Sequence, residues 1–154
     1  MFEALKKRLK RIEKINVNSV MKKSLSGKSL QMDIISLNTD DQLYEKGIDS
    51  IGDQLGDYSP ATIEGVPGRF KGKIEKGQRY DHITLSDSGD FYRSWRFKNE
   101  SNEFYFVANA IKEGTDLAQF YGKDILGLTN ENIKQTAEWV RPIFLNILRE
   151  NIFK

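Results

Sequence analysis

Apolar positions recur along this chain with two different periods, and the places where the period changes divide it into elements. Phe2, Leu5, Leu9 and Ile12 follow one another at spacings of three and four. That spacing predicts a helix with a single apolar stripe, which must be buried somewhere. The pattern weakens through "NVNSVMKKSLSGKS", so residues 1–28 read as a basic helix and a connector. A second helix is expected over 29–47, with Ile34, Leu37 and Leu43 inward and Gly47 as a left-handed C-terminal cap. Residues 48–80 hold six glycines and two prolines and show no period, so they read as one long loop.

Strand character follows. "YDHITL" alternates, and "FYRSWRF" would place Phe91, Arg93, Trp95 and Phe97 on one face. "NES" predicts a turn, after which "EFYFVANAI" returns with Phe104, Phe106, Ala108 and Ala110 on one face. The sheet is thus expected within 81–111. A last helix is expected over 129–153, with Thr129 as N-cap and Glu131 in the first turn. Its inward positions would be Ile133, Ala137, Val140, Phe144 and Ile147, and Pro142 would kink it or end its first segment. The whole predicts one α+β domain over 1–154. A small antiparallel sheet with an aromatic hairpin would be packed by the N-terminal and C-terminal helices.

Composition adds little to this picture and charge adds more. The 38% hydrophobic fraction supports a modest core, and the absence of cysteine removes disulfides and thiolate zinc sites. No apolar run approaches the roughly 18–20 residues of a membrane span. "MFEALKKRLKRIEK" has no apolar core segment or small-residue cleavage site and is not expected to be a secretory signal. The net charge of +2 is uneven. Residues 1–14 carry six Lys/Arg against Glu3 and Glu13, a local +4, which leaves the other residues at −2. Such a helix suits DNA phosphates, an anionic membrane surface, an acidic protein partner, or plain solvent exposure.

Among candidate chemistries, Asp87-Ser88-Gly89 has the letters of an aspartic-protease triplet. One triplet per chain would require a homodimer, with two aspartates sharing a proton. Polar Ser86 before the triplet and Asp90 after it fit that chemistry poorly, and the helical content fits it worse. The simpler reading is a turn, in which Asp and Ser bond nearby backbone N–H groups and Gly supplies a positive φ. His82 is the only histidine and lacks a nucleophile motif around it. Asp49, Asp53 and Asp57 do not follow the EF-hand alternation. The glycines match neither a phosphate loop nor a dinucleotide fingerprint. No cofactor, metal or small-molecule substrate is expected.

The order of segments is more specific than any of these motifs. Gly52, Leu55, Tyr58, Ser59, Pro60 and Thr62 form a first motif; Leu85, Asp87, Ser88, Gly89 and Ser94 a second; Leu126, Gly127, Leu128 and Thr129 a third. In this order, over roughly residues 30–150, the chain resembles the tail-completion (virion morphogenesis, neck) proteins of tailed bacteriophages. It departs from them at Asp90, Tyr92 and Leu55, where a basic residue, a Leu/Ile and often a Trp are usual. The resemblance implies a non-enzymatic structural protein made in the bacterial host cytoplasm. It would form a homo-oligomeric ring at the virion neck with portal-adaptor or tail proteins, in possible contact with packaged DNA and without a membrane. Candidate partner-interface residues are Lys6, Lys7, Lys10 and Lys14 on the first helix, Arg69, Lys71 and Lys73 in the long loop, and Arg93. Asp87, Ser88 and Gly89 are expected to be the structural turn. The alternatives are the homodimeric protease and a DNA- or membrane-binding accessory protein.

Overall fold

The computed structural model describes residues 2–100, 103–112 and 114–153 and has an α+β fold. Helix α1 spans Phe2–Glu13, α2 Val17–Ser24 and α3 Lys28–Ser36. Helix α3 runs without a break into a π-helical segment, Leu37–Lys46, which Gly47 ends at φ +62°. Buried residues along this stretch come in pairs: Ile34 and Ile35, Asn38 and Thr39, Gln42 and Leu43. The pairs repeat every four residues. With about 3.6 residues per turn, an α-helix would let such a stripe drift around its axis. The wider π turns bring it back, so both stripes keep facing their partners.

One stripe, through Ile35 and Leu43, joins a core with Ile83, Leu85, Trp95 and Ile125. The other, through Ile34, joins a smaller core with Leu25 and Val140. Phe97 and Phe106 pack against both. These two rings belong to the aromatic hairpin, in which β3 (Arg96–Glu100) pairs with β4 (Glu103–Val107) and Phe97 faces Phe106. Trp95, just before β3, lies 5.8 Å from the Phe91 ring and 5.3 Å from the Phe106 ring. Aromatic pairs of this kind add about 0.5–1.5 kcal/mol each beyond the area they bury.

Several expectations are corrected here. In place of one sheet over 81–111, the described residues form three separate two-stranded antiparallel pairs, one of them inside the loop 48–80. Two are short: β1 (Gly65–Val66) with β2 (Phe70–Lys71), and β5 (Ile111–Lys112) with β6 (Thr115–Asp116). "YDHITL" is irregular although Ile83 and Leu85 are buried, because its backbone bonds go to the preceding loop instead of a strand, as in Ile83 N–H to Gly56 O at 2.9 Å. "DFYR" is one helical turn, α5 (Asp90–Arg93), so Arg93 does not lie on a strand. At "NES", Asn99 and Glu100 still belong to β3, and Ser101 lies outside the described residues. The loop 48–80 contains a short helix, α4 (Pro60–Glu64), capped by the Ser59 hydroxyl, which accepts from Thr62 N–H at 3.2 Å.

After α6 (Leu117–Tyr121) and a 3-10 turn at Lys123–Leu126, helix α7 runs from Asn130 to Phe153. Thr129 caps α7 as expected, its hydroxyl accepting from Asn132 N–H at 3.3 Å. Pro142 neither ends nor divides α7: it sits on the exposed side, and the carbonyl it frees belongs to exposed Glu138, where water can take the place of the lost N–H. The buried stripe includes Asn132, Val140 and Ile147, while Ile133 and Ala137 are exposed. A polar residue holds the first inward position because polar partners await it on the π segment.

Helix α1 shows the largest departure. It buries none of its residues, and Phe2, Leu5, Leu9 and Ile12 are 79%, 54%, 52% and 47% exposed. It docks through its basic side instead. Arg11 Nη1 donates to Ile152 O at 3.2 Å, and the Arg8 guanidinium lies 4.9 Å from the centre of the Phe153 ring. Cations at the C-terminal end of α7 meet free carbonyls and the negative end of its dipole.

Candidate functional site

The Asp-Ser-Gly triplet lies where the ordered loop meets the start of α5. Gly89 has φ +79° and its carbonyl accepts the Arg93 N–H at 2.9 Å, so the glycine makes the sharp entry into that turn. Ser88 acts as expected of a turn residue: its hydroxyl accepts from Asp90 N–H at 3.3 Å and donates to Asp90 Oδ2 at 2.6 Å. Asp87 does not satisfy turn backbone. Its Oδ1 takes Lys76 Nζ and its Oδ2 takes Lys112 Nζ, both at 2.8 Å. Those two ammonium groups, Lys112 first, hold the Asp87 carboxyl well below the usual carboxylate range. Asp87 thereby ties the loop to β5.

Beside it opens a cleft of about 340 Å³, with Lys71, Lys73, Lys76 and Lys112 near the aromatic side chains Tyr58, Phe70 and Tyr121. Lys73 is 5% exposed. Its ammonium donates to Ser86 O at 2.8 Å and Gln78 Oε1 at 3.2 Å and sits 4.5 Å from the centre of the Tyr58 ring. Lys73 is therefore corrected from a free interface cation to an internal strut of the loop. Tyr58 also fixes the segment before the triplet, accepting Thr84 N–H at 3.0 Å, while Tyr92 OH donates to Thr84 O. Burial pushes the Tyr92 phenol well above its ordinary pKa.

The "ILGLT" segment is held by amides that the apolar pattern did not reveal. Asn38 Nδ2 donates to Ile125 O at 3.1 Å and also to Gly127 O. Gln42 Nε2 donates to Gly127 O at 3.0 Å, and Gln42 Oε1 accepts from Thr129 N–H at 2.8 Å and Asn132 Nδ2 at 2.9 Å. A Cβ on Gly127 would lie 2.7 Å from Ser50 Cβ, so the glycine is needed for that close approach. Asp49 is a turn residue, its Oδ1 accepting from Ile51 and Asp53 N–H at 3.0 Å each.

The other candidate interface residues do not form one patch. Lys7 and Lys10 on α1 and Lys14 just after it are exposed without an ion-pair partner among the described residues, and Lys6 pairs weakly with Glu3 at 3.6 Å. Lys71 pairs with Glu75 at 3.0 Å, and Arg69 is exposed between β1 and β2. Arg93 is exposed and folds back on Asp90 and Ser88 O. Among the described residues, no group of acidic, histidine or cysteine side chains is arranged to hold a metal ion. Nor is any helix long and apolar enough to cross a membrane. No protein-family model matches the chain, and no match was found to a curated protein or to a solved structure.

Proposed function

We propose that this chain is a structural protein of a tailed-phage virion, acting at the neck or head–tail junction by forming a ring with portal-adaptor or tail proteins. The observation that carries the reading is α1, an amphipathic helix whose apolar stripe is uncovered in the single chain while Lys6, Lys7 and Lys10 are exposed on the same helix. Such a helix completes its burial only against something else, which is the condition of an assembly protein. The motifs that carry the phage resemblance support the same reading. Tyr58, Gly89 and Gly127 each fix a backbone turn or crossing, so their roles here are architectural.

The protease alternative asks Asp87 to share a proton with a partner aspartate. Two lysines at 2.8 Å hold it ionised, which works against that role. The test of the virion reading is complementation of a phage deleted for this gene, followed by quantitation of the protein in purified particles. The expected result is a fixed copy number per particle and loss of tail attachment in the deletion. Particles that assemble and infect normally without the chain would overturn it.

A further inference from the structure

Besides α1, a second face is left uncovered, and its charge is opposite. A shallow groove of about 420 Å³ runs between α3, the π segment and α7. Leu37 and Trp139 supply its apolar lining, and Asp33, Asp40, Asp41 and Glu45 its charge. Lys46 partly offsets Asp41 at 2.9 Å, and Arg79 offsets Glu45 at 2.7 Å. Among the described residues, Asp33 has no ion-pair partner, and Asp40 has none either, only hydrogen bonds from the hydroxyls of Ser36 and Thr39. The groove thus keeps a negative excess around an apolar floor. Helix α1 has the inverse design, an apolar stripe flanked by a local +3, from five Lys/Arg against Glu3 and Glu13.

We propose that α1 of one copy lies in the acidic groove of the next copy. The proposal rests on the ring-forming reading and names the two faces that would close the ring. A chain cannot fill its own groove, because α1 is tied to the far end of α7 at Ile152 and Phe153. The helical rise from Trp139 to Ile152 is about 20 Å, comparable to the whole length of α1. Two different, separated patches on one subunit make a head-to-tail contact, which generates a ring if the rotation closes and a filament if it does not. DNA or an anionic bilayer would satisfy α1 but would leave the acidic groove open and repelled. A second copy covers both faces at once. One helix in one groove is smaller than the roughly 1,200–2,000 Å² of a standard stable interface, so the contact should depend on salt and concentration until the ring closes.

The test uses the full chain in sedimentation velocity at low and raised salt. Wild type should form oligomers that grow with concentration and dissociate with salt. Reversing α1 (Lys6→Glu, Lys7→Glu, Lys10→Glu) or the groove (Asp33→Lys, Asp40→Lys) should give monomers with unchanged circular dichroism. Mixing the two variants in equal amounts should restore oligomers, because the acidic α1 of one now fits the basic groove of the other. Carbodiimide cross-linking of wild type needs no variant and should join α1 lysines to Asp33 or Asp40 between copies. The proposal is overturned by a wild type that stays monomeric, by reversal variants that associate as wild type does, or by α1 binding phosphatidylserine vesicles or duplex DNA without self-association. A chain monomeric in solution yet present in particles would sink this contact and spare the virion reading; oligomers absent from particles would do the reverse.

Discussion

Replacing Asp87 with asparagine removes the charge shared by Lys76 and Lys112 and keeps the size of the side chain. Both contacts are 2.8 Å long, with Asp87 28% exposed and each lysine 37% exposed. Exposed pairs contribute about 0.2–1 kcal/mol each. Breaking fully buried ones costs about 3–5 kcal/mol. These contacts lie nearer the exposed limit, since both lysines can regain water. The amide also turns a donor towards one ammonium, so one contact is lost outright. A total of about 1–2 kcal/mol at neutral pH follows, and at about 2–4 °C per kcal/mol the melting temperature should fall by several degrees. The loss depends on pH. Because the folded-state pKa of Asp87 is depressed, its stabilisation is fully present above the unfolded value of about 3.9 and disappears as pH falls through the lower folded value. Urea unfolding of wild type and Asp87→Asn from neutral to strongly acidic pH should therefore give curves that converge at the acid end. A double-mutant cycle with Lys112→Met should return a favourable coupling that shrinks with salt. Equal stability at pH 7, or a gap that persists unchanged into acid, would refute the ion-pair account.

Gly89→Ala places a side chain at φ +79° and should cost about 1–2 kcal/mol, read as a lower melting temperature; an unchanged melt would show that the turn does not need glycine. Gly127→Ala drives a methyl to within 2.7 Å of Ser50 Cβ and should cost about 1–3 kcal/mol in urea unfolding, whereas Gly27→Ala, with open space around it, should not show this clash. Asn132→Leu leaves the carbonyl of Leu37 without its side-chain donor and should cost about 1–3 kcal/mol, and a neutral result would mean the buried amide cluster is not stabilising.

Local signals marked the C-terminal cap at Gly47, the N-cap at Thr129 and the turn at Gly89, but not the helices α2, α4, α5 and α6, the first of which lies in what was expected to be a connector. Gly47, Thr129 and Gly89 each announce a backbone need that only a few residue types meet, and the structure uses each for that need. The aromatic hairpin was legible for the same reason, since Phe97 and Phe106 are large enough to bridge two cores. What the apolar pattern could not carry was the polar interior. Asn38, Gln42 and Asn132 are buried because they satisfy the backbone of "ILGLT", and a hydrophobic/polar reading turns such residues outward. That error shifted the expected inner face of α7 from Asn132 to Ile133. Lys73 was misplaced likewise: its acceptors are Ser86 O and Gln78, which only the folded loop brings together. The stripe of α1 was read correctly as amphipathic, but periodicity says only that a face is apolar, not that the same chain covers it.

The most direct measurement is electron cryomicroscopy of purified virions carrying a C-terminally tagged form of this chain. The account predicts a closed ring of tagged density at the head–tail junction, with α1 of each subunit seated between α3 and α7 of its neighbour. Particles lacking the tag at the neck, or a chain present there only as separated subunits with α1 uncovered, would contradict it.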